Sequence, residues 1–380
     1  MNTASVAIVG GGLGGLYAAF QLQERGIEDW VLLEARQRLG GRIASLNASG
    51  LTGPHGRMND GSDRFDLGPA WFWPGHQRQL DRLVHALGLA QFEQHEAGAT
   101  VVERSPAEPP LRVRGHASSP PSMRLVGGMD ALVGTLLRRL DPDRLVTGFE
   151  VQRLRVDGAG VTVSGTCADP ALNTWQTRHA LLAVPPRLAE HRFGFEPALP
   201  VDWSRSWRAT PTWMAPHAKY LAVYDTPFWR EDGLSGSARS ALGPLVEIHD
   251  ASLPGGHAAL FGFFGVPARV RQNVDEDALR AACRAQLTRL FGPRAAHPVT
   301  EALKDWAQDP FTATPADLDD GSHPDGALPA AAASGPWQHR LTGIASEWSP
   351  HFPGYVAGAI EAAGLGVERL AGIEPATLAP

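Results

Sequence analysis

The sequence predicts an α/β fold, and three observations near its beginning carry the prediction. Residues 6–9 (Val-Ala-Ile-Val) are a short apolar, β-branched run of the kind that forms a buried parallel strand. This run leads into a turn with the glycine spacing of the dinucleotide-binding fingerprint, Gly10, Gly12 and Gly15. A second apolar run, residues 30–33, ends in Glu34. The order strand, glycine turn, helix, strand and acid predicts a Rossmann-type domain that binds a dinucleotide.

Each residue type in this segment has a physical role at its position. Gly10 permits the tight turn, Gly12 lets a pyrophosphate approach the backbone, and Gly15 allows the helix to pack closely on the strand. Glu34 lies nineteen positions after Gly15. An acid at that distance can accept hydrogen bonds from ribose hydroxyls, while the helix N-terminus holds the phosphates.

Length and composition narrow the class of protein. The 380 residues suffice for two domains, and 43% hydrophobic with 19% charged residues is ordinary for a globular enzyme. A net charge of −6 gives no electrostatic reason to expect nucleic acid or an anionic membrane as a partner. Two cysteines, Cys167 and Cys283, predict neither a disulfide framework nor a metal site. Without a signal-like or membrane-spanning run, the sequence predicts a soluble, cytoplasmic protein.

Residues 34–42 carry a more specific pattern, Glu-Ala-Arg-Gln-Arg-Leu-Gly-Gly-Arg. This stretch resembles the flavin-dependent amine oxidase family, the monoamine oxidase-like FAD oxidoreductases, which continue from the ribose-binding acid in the same way. The resemblance implies FAD as the cofactor. An arginine fork suits its phosphates, and glycines let them approach the backbone closely. Together with the fingerprint, the resemblance implies these cofactor-binding residues: Gly10, Gly12, Gly14, Gly15, Glu34, Ala35, Arg36, Gly40, Gly41 and Arg42.

A second resemblance covers residues 65–75, where Phe-Asp-Leu-Gly-Pro-Ala-Trp is similar to the family stretch that runs past the isoalloxazine ring. It implies a catalytic position for Trp71. It also implies cofactor contacts for Gly68, Pro69 and Ala70. Asp66 belongs to the same motif, but it equally fits a turn residue whose side chain bonds to the nearby backbone.

Lys219 lies in a strand-like run, residues 218–224, in which alternation places it on the same face as Leu221 and Val223. A lysine among apolar neighbours loses solvation, which lowers its pKa. The run and the Pro-Phe-Trp that follows resemble the family's strand with an active-site lysine. This implies that Lys219 is catalytic and holds a water against flavin N5. The alternative is an edge-strand lysine or one that snorkels to solvent. By resemblance, Trp306 supports the flavin.

Residues 345–364, near the other end of the chain, also resemble the family. The family closes with a Gly-x-Glu segment and a Gly-Tyr-x-x-Gly-Ala helix start, and this chain has Ser-Glu and Gly-Tyr-Val-Ala-Gly-Ala at these places. A helix N-terminus there stabilises negative charge on a reduced flavin. The resemblance implies that Tyr355 is catalytic, as one wall of an aromatic cage for the amine. It implies cofactor contacts for Ser346, Glu347, Gly354, Tyr355 and Val356.

Two departures from the family pattern affect the predictions. The second cage wall is normally aromatic, and its position falls near Ala316. The cysteine that attaches flavin covalently in membrane oxidases would fall near Pro315, so we expect FAD to be non-covalent.

Some positions also admit a core interpretation. Val151 aligns with a family residue whose backbone meets adenine, but a valine in a predicted strand equally belongs to a core. Trp203 and Trp207 are four apart, on one helical face, which is more typical of a core than of a ligand site.

The predicted architecture is a Rossmann-type FAD-binding domain from residues 1–80, 123–187 and 335–380, with a mixed-sheet substrate domain from residues 81–122 and 188–334. Within the first set, Ala180 begins a predicted strand that ends at two prolines; within the second, residues 104–122 look like a connecting loop.

The resemblance implies oxidation of an amine C–N bond by hydride transfer to flavin N5, imine hydrolysis, and reoxidation by molecular oxygen to hydrogen peroxide. The partners would be an amine substrate and molecular oxygen. A homodimer is possible, and the sequence does not decide it.

Other functions remain alternatives. Related FAD oxidases and desaturases, acting on C–C bonds or on dihydronicotinamides, share both ends of this pattern. From another class, the chain could bind FAD without turnover. Lys219 and Tyr355 favour catalysis, because a scaffold needs neither.

Overall fold

The computed structural model describes residues 2–47, 63–115, 117–158, 160–319, 322–323 and 328–371, which form two compact units. The first unit takes its described residues from 1–43, 132–215 and 310–380, and the second from 44–131 and 216–309. No helix in these ranges combines the length and apolar character that crossing a bilayer requires.

The strands of the described residues are numbered in chain order: β1 (Asn2–Val9), β2 (Trp30–Glu34), β3 (Ser45–Asn47), β4 (Arg64–Asp66), β5 (Gln91–Glu93), β6 (Ala99–Glu103), β7 (Leu111–Arg114), β8 (Met123–Leu125), β9 (Leu145–Thr147), β10 (Glu150–Asp157), β11 (Gly160–Thr166), β12 (Thr174–Leu182), β13 (Gly194–Glu196), β14 (Ala218–Tyr224), β15 (Leu234–Ser240), β16 (Leu245–Asp250), β17 (Ala258–Phe264), β18 (Thr300–Asp305) and β19 (Leu341–Gly343).

The α-helices follow the same convention: α1 (Leu13–Glu24), α2 (Arg78–Ala86), α3 (Asp130–Leu137), α4 (Pro186–Arg192), α5 (Val201–Ala209), α6 (Phe228–Glu231), α7 (Ala268–Arg271), α8 (Glu276–Phe291) and α9 (Val356–Ala371). Short 3-10 turns occur at Pro142–Arg144, Pro170–Leu172, Pro293–Ala296, Trp306–Gln308, Pro315–Leu318 and Ser346–Trp348.

The first unit is built on an eight-stranded sheet in the order β13-β10-β11-β12-β1-β2-β9, with β19 also paired to β12. The strands β9, β2, β1, β12 and β19 are parallel. Beyond β12 the sheet continues with β11, which is antiparallel to β12, and with β10, which is antiparallel to β11. Helix α1 packs against α9. Parallel strands end at one edge of a sheet, so Glu34, the turn after β1 and the segment after β19 meet there. This arrangement confirms the predicted Rossmann-type α/β fold.

The second unit is built on a seven-stranded sheet in the order β18-β14-β17-β16-β15-β6-β7. Strand β14 pairs with antiparallel neighbours on both sides and is buried along its whole length. Tyr220 and Ala222 belong to one core cluster, which α8 supplies with Cys283 and Leu287, whereas Leu221 belongs to a second cluster. Successive side chains of β14 therefore point to opposite faces of the sheet, and each face is buried in a different core cluster.

The paired tryptophans of α5 confirm the core interpretation. Trp203 and Trp207 have ring centroids 4.7 Å apart, and both are buried with Trp337 and Trp348 in the core of the first unit.

Two sequence-based expectations differ from the structure. Residues 104–122 are not wholly a loop, because Leu111–Arg114 forms the exposed edge strand β7 against β6. The compact units also divide elsewhere than predicted: residues 44–80 and 123–131 lie in the second unit, and 188–215 and 310–334 in the first, as far as they are described. The side chain of Arg124 gives one reason, since it donates to the oxygens of Ala251 and Ser252.

Candidate functional site

Two of the three fingerprint glycines, Gly10 and Gly15, lie where a larger residue would be strained or would clash. Gly10 has φ +106°, and a Cβ on Gly15 would lie 2.0 Å from the Gly10 oxygen. By contrast, a Cβ on Gly12 would meet only the Cα of Gly41, at 3.9 Å. Gly12 is also the N-cap of α1 and supplies no side-chain cap. The open space beside it, at a helix N-terminus whose N–H groups need acceptors, fits a phosphate.

A second glycine turn packs against the first. The Gly40 N–H donates to the Gly11 oxygen at 2.8 Å, and a Cβ on Gly41 would lie 2.9 Å from the Gly12 Cα. Gly41 also has φ +57°, in the left-handed region that favours glycine. The backbones of the two predicted cofactor segments are therefore in direct contact, and they border the same open space.

The Glu34 carboxylate is held beside these turns by backbone donors. It is 4% exposed and accepts from the Gly11 N–H at 2.6 Å and from the Arg36 N–H at 2.8 Å. The Arg36 guanidinium lies 3.6 Å from Glu34 and donates to the Thr312 hydroxyl at 3.0 Å. Ala35 is half-buried between the two charged residues. A carboxylate so fixed keeps lone pairs for further donors, as ribose recognition requires.

Arg42 links the two ends of the chain. Its Nη1 and Nη2 donate to the two Glu347 oxygens at 2.6 and 3.1 Å, and Nη2 also reaches the Ser346 hydroxyl at 3.1 Å. Glu347 is fully buried. Because both terminal nitrogens already serve Glu347, contact between Arg42 and a phosphate stays a prediction. The pair joins three predicted cofactor residues to one another.

The start of α9 lies against the same segment. The Gly354 N–H donates to the Ser346 oxygen at 3.2 Å, and Gly354 has φ +81°. Tyr355 follows with 38% of its surface exposed, and Val356 begins the helix. The predicted residues of the first unit thus form one connected set: Gly10, Gly12, Gly14, Gly15, Glu34, Ala35, Arg36, Gly40, Gly41, Arg42, Ser346, Glu347, Gly354, Tyr355 and Val356.

Val151 lies in the same unit, in strand β10. Its backbone pairs with Gly165, and its side chain is buried in the core of the unit. The side chain therefore follows the core interpretation, and a contact between its backbone and adenine stays a prediction.

In the second unit, two side chains hold consecutive carbonyls of the predicted flavin-facing segment. Lys219 Nζ donates to the Gly68 oxygen at 3.1 Å, and Trp306 Nε1 donates to the Leu67 oxygen at 3.2 Å. Lys219 is on β14, which pairs with β18, and Trp306 begins the short turn directly after β18. The structure therefore brings Lys219 and Trp306 together around one short segment.

Lys219 is buried against an aromatic ring. It is 2% exposed, on a central strand, so the edge-strand and snorkelling alternatives are wrong. Its Nζ lies 3.8 Å from the centroid of the Phe261 ring. Burial lowers the pKa of Lys219 from its ordinary value to about 7, against the opposing attraction of Asp66. The amine can therefore change protonation state near neutral pH.

Trp71 also contacts Phe261. Its ring centroid is 5.3 Å from that of Phe261 and 4.8 Å from that of His249, and its Nε1 donates to the Gln94 oxygen at 2.8 Å. Lys219 and Trp71 thus share one aromatic neighbour, and the predicted residues Gly68, Pro69 and Ala70 are the backbone between these contacts.

Asp66 is a site residue that the sequence left undecided. Its Oδ1 accepts from the distant Met129 N–H at 2.9 Å, so the local turn interpretation is wrong. Its buried Oδ2 has no hydrogen-bond partner among the described residues. Burial raises the pKa of Asp66, while Lys219 and Arg124 act in the opposite direction. Its place in the motif before Gly68 was the signal in the sequence.

Ala316, near which the sequence places the second cage wall, lies in the turn Pro315–Leu318. The turn Pro315–Leu318 is fixed by Asp317, which accepts from Thr314 and pairs with the buried Arg187 at 2.7 Å. Ala316 itself is exposed.

Two aromatic residues that the sequence did not point to lie near Tyr355 instead. The His323 ring centroid is 5.3 Å from that of Tyr355 and 4.7 Å from that of Trp213. The three residues come from separate segments of the first unit, so no local pattern announces them.

Comparison with known proteins identifies the family of the chain. The flavin containing amine oxidoreductase family matches residues 110–371, and an NAD(P)-binding Rossmann-like domain matches residues 8–87. Putrescine oxidase of Kocuria rosea is 29% identical over 50% of this chain, and the matched region spans 41% of that protein. The probable flavin-containing monoamine oxidase A of Dictyostelium discoideum is 23% identical, over 81% of this chain and 84% of that protein.

Solved structures agree on the fold. Wild-type putrescine oxidase bound to putrescine superposes with a TM-score of 0.76 at 20% identity, covering 97% of this chain and 99% of that one. Cyclohexylamine oxidase from Brevibacterium oxydans superposes with a TM-score of 0.77 at 18% identity, covering 97% and 99%. The family match covers well over half of the chain and its description implies a flavin cofactor. The protein therefore belongs to the flavin containing amine oxidoreductase family.

Proposed function

We propose that this protein is an FAD-dependent amine oxidase that oxidises a C–N bond, releases the imine for hydrolysis and uses molecular oxygen, forming hydrogen peroxide. The observation that carries the proposal is Lys219, a fully buried lysine whose pKa is lowered to about 7 beside the Gly68 carbonyl. Perturbed buried amines of this kind are characteristic of functional sites rather than of scaffolds. The alignment with named amine oxidases supports the substrate class.

In this proposal the first unit binds FAD and the second unit supplies the substrate domain. The open space at Gly12 would receive the pyrophosphate, Glu34 would accept from the ribose, and the N-terminus of α9 would lie at the flavin. When bound, FAD supplies the two-electron chemistry, taking a hydride equivalent and returning electrons to oxygen. Binding would be non-covalent, since Cys283 is buried in the second-unit core and Cys167 lies just after β11.

The residues of the second unit would control protons and water. Lys219, with the Phe261 ring against its amine and Asp66 acting on its charge, offers one buried amine in this site. There it would hold a water and change its own charge near neutral pH, in a place where low dielectric strengthens each electrostatic contact. Trp306 and Lys219 would keep the segment from Leu67 to Trp71 in place through its carbonyls.

One experiment tests the proposal. The purified yellow protein is mixed anaerobically with a panel of primary amines, amino acids and dihydronicotinamide, and flavin absorbance is followed; oxygen is then admitted and peroxide is measured. Bleaching by amines with peroxide release supports the proposal. Bleaching by dihydronicotinamide alone would support the alternative function, an FAD enzyme that oxidises dihydronicotinamides. Flavin that stays oxidised with every reductant would support a protein that binds FAD without turnover.

A further inference from the structure

We propose that Arg124 is a positioning residue for Lys219, and that its fixed positive charge favours the neutral form of the Lys219 amine. The inference goes beyond the proposed function by naming what sets the charge of this lysine, and it rests on that function for its catalytic meaning. A protonated amine can only donate hydrogen bonds, whereas a neutral amine keeps a lone pair that accepts one. The charge of Lys219 therefore decides how it can hold a water or take up a proton.

Lys219, Asp66 and Arg124 are buried together in the second unit. Each of the three is at most 4% exposed, and both Lys219 and Arg124 act electrostatically on Asp66. Burial lowers the pKa of Arg124, but from an ordinary value so high that the guanidinium stays charged. A buried lysine, by contrast, loses its proton readily. The region therefore holds one permanent positive charge and two groups that can titrate.

Backbone hydrogen bonds place Arg124 beside the segment that Lys219 holds. The residue before it, Met123, exchanges hydrogen bonds with Phe72 at 2.9 and 3.0 Å. The Lys219 amine donates to the Gly68 oxygen, earlier in the same segment. Both basic side chains thus border one short stretch of the chain.

The hydrogen-bond partners of Arg124 are uncharged. Its Nη1 donates to the Ser252 oxygen and its Nη2 to the Ala251 oxygen, both at 3.0 Å, and the guanidinium carbon lies 5.1 Å from the centroid of the Phe92 ring. Its buried Nε has no hydrogen-bond partner in the part of the chain that the structure describes. These contacts hold the guanidinium in place, but none of them neutralises its charge. A nearby carboxylate must therefore balance that charge.

Asp66 is the carboxylate available to do so. Asp250 also acts on Arg124, but its Oδ2 accepts from Arg230 Nε at 2.9 Å. The Oδ2 of Asp66 is buried and has no hydrogen-bond partner among the described residues. Arg124 and Lys219 therefore share one carboxylate, and the three groups are neutral overall only when Lys219 has lost its proton. Because net charge is costly in a low-dielectric interior, this neutral arrangement is favoured.

The other charged side chains of the neighbouring strands have their own partners. Strand β17, whose phenylalanines lie against the Lys219 amine, carries no ionisable residue. On β4, β16 and β18 the pairs are Arg64 with Asp130, His249 with Glu247, Asp250 with Arg230, Glu301 with Arg284, Lys304 with Asp309, and Asp305 with Arg271. Asp66 and Arg124 are thus the groups that act on the charge of Lys219.

Lysine NMR measures the charge of Lys219 directly, because Lys219 and Lys304 are the only lysines in the sequence. The FAD-containing protein is labelled with carbon-13 at the lysine ε-carbons, whose chemical shifts follow the titration of the amine. Lys304→Met assigns the second signal. In wild type we expect a titration midpoint for Lys219 near its pKa of about 7.

Arg124→Gln should raise that midpoint by about 1–2 pH units, because Asp66 then acts on Lys219 without an opposing charge. Two controls separate the effect of charge from that of packing. Phe92→Leu disturbs the packing of the guanidinium without changing any charge, and Arg239→Gln removes an exposed arginine of the same unit. Both should leave the midpoint unchanged.

A second comparison decides the matter if Arg124→Gln does not fold. Asp66→Asn removes the carboxylate, so it should lower the midpoint of Lys219, because Arg124 then acts on the lysine unopposed. The double variant with Asp66→Asn and Arg124→Gln leaves neither charge behind without its partner. Its midpoint should be higher than that of Asp66→Asn alone, and equal midpoints in the two would overturn the inference.

A Lys219 midpoint that does not move in Arg124→Gln, or that rises as much in Phe92→Leu, would also overturn the inference. So would a wild-type Lys219 that stays protonated up to its ordinary pKa. In turnover with an amine, the limb of the kcat/KM pH profile that Lys219→Met abolishes should move with the midpoint. The titration itself needs no turnover. A protein that titrates as expected but oxidises no amine would therefore refute the proposed function and leave the role of Arg124 standing.

Discussion

Arg271 donates to both carboxylate oxygens of Asp305, from Nε at 2.9 Å and from Nη2 at 2.8 Å, in a pair that is almost wholly buried. Asp305 ends β18 directly before Trp306, and Arg271 Nη2 also donates to the Pro216 oxygen at 2.7 Å, just before the strand of Lys219. One ion pair therefore anchors the ends of both strands that hold the segment at Gly68.

Arg271→Met should lower the free energy of unfolding by about 3–5 kcal/mol, because it leaves the Asp305 carboxylate buried without its partner. Arg271→Lys should cost less, since it keeps the charge and loses the two-pronged geometry. Urea unfolding followed by circular dichroism measures both. Arg205→Met is the control, because Arg205 and its partner Asp202 are both exposed and should contribute about 0–1 kcal/mol. Equal losses in the Arg271 and Arg205 variants would contradict the prediction.

Glu34→Ala should weaken FAD binding without unfolding the protein. The change removes one charge-assisted contact with ribose, worth about 1.5–3 kcal/mol, or roughly 10- to 150-fold in Kd. Glu34 also accepts from the N–H groups of Gly11 and Arg36, so Glu34→Gln is the matched control that keeps an acceptor for the turn. Titration of the apoprotein by flavin fluorescence gives Kd, and circular dichroism checks the fold. Equal affinity in wild type and Glu34→Ala would mean that the acid does not meet the ribose.

Acid precipitation should release all of the flavin. The sequence has no cysteine near Pro315, where covalent attachment occurs in the membrane-bound oxidases it resembles. After precipitation, the absorbance of supernatant and pellet is compared. Yellow colour that stays with the pellet would contradict the prediction and show that the flavin is attached covalently.

The parts of the site that the sequence predicted depend on short spacings. Gly10, Gly12 and Gly15 sit within one turn, and their roles follow from what a Cβ would strike. Lys219 was recognisable as buried because strand alternation is also local. For such residues the physical constraint lies within a few positions of the residue itself, so a pattern can express it.

Other features depend on contacts that sequence patterns do not express. His323 meets Tyr355 across more than thirty positions, and Trp213 meets His323 across more than a hundred. The sequence leaves Asp66 open between two interpretations because its partner, the Met129 N–H, is 63 positions away. The edge strand Leu111–Arg114 was missed because prolines surround a run with only four strand residues. In each case the tertiary partner decides the role.

Lys219→Met should change how stability depends on pH. The pKa of Lys219 is about 7 in the folded protein and about 10.5 in the unfolded chain. Between these values the unfolded chain binds a proton that the folded protein does not, so the contribution of Lys219 to stability rises with pH above 7. Below pH 7 the lysine is charged in both states, and the folded protein bears the cost of burying it.

The difference in the free energy of unfolding, wild type minus Lys219→Met, should therefore increase by roughly 1–3 kcal/mol from pH 6 to pH 9. Urea unfolding at several pH values measures the difference. Lys304→Met is the control, because Lys304 is more exposed and pairs with Asp309. Parallel curves for wild type and Lys219→Met would mean that the lysine keeps its proton in the folded protein.

Asp66→Asn should show which group holds the charge in this buried site. The carboxylate of Asp66 favours the charged form of Lys219, and asparagine keeps an oxygen for the Met129 N–H while removing the charge. In a double-mutant cycle with Lys219→Met, the coupling energy should be favourable at pH 6, where Lys219 is protonated, by about 1–3 kcal/mol. At pH 9 the lysine is neutral and the coupling should fall towards zero. Coupling that is absent at both values would place the proton of the pair on Asp66, whose pKa burial already raises, and Lys219 would then be neutral throughout this range.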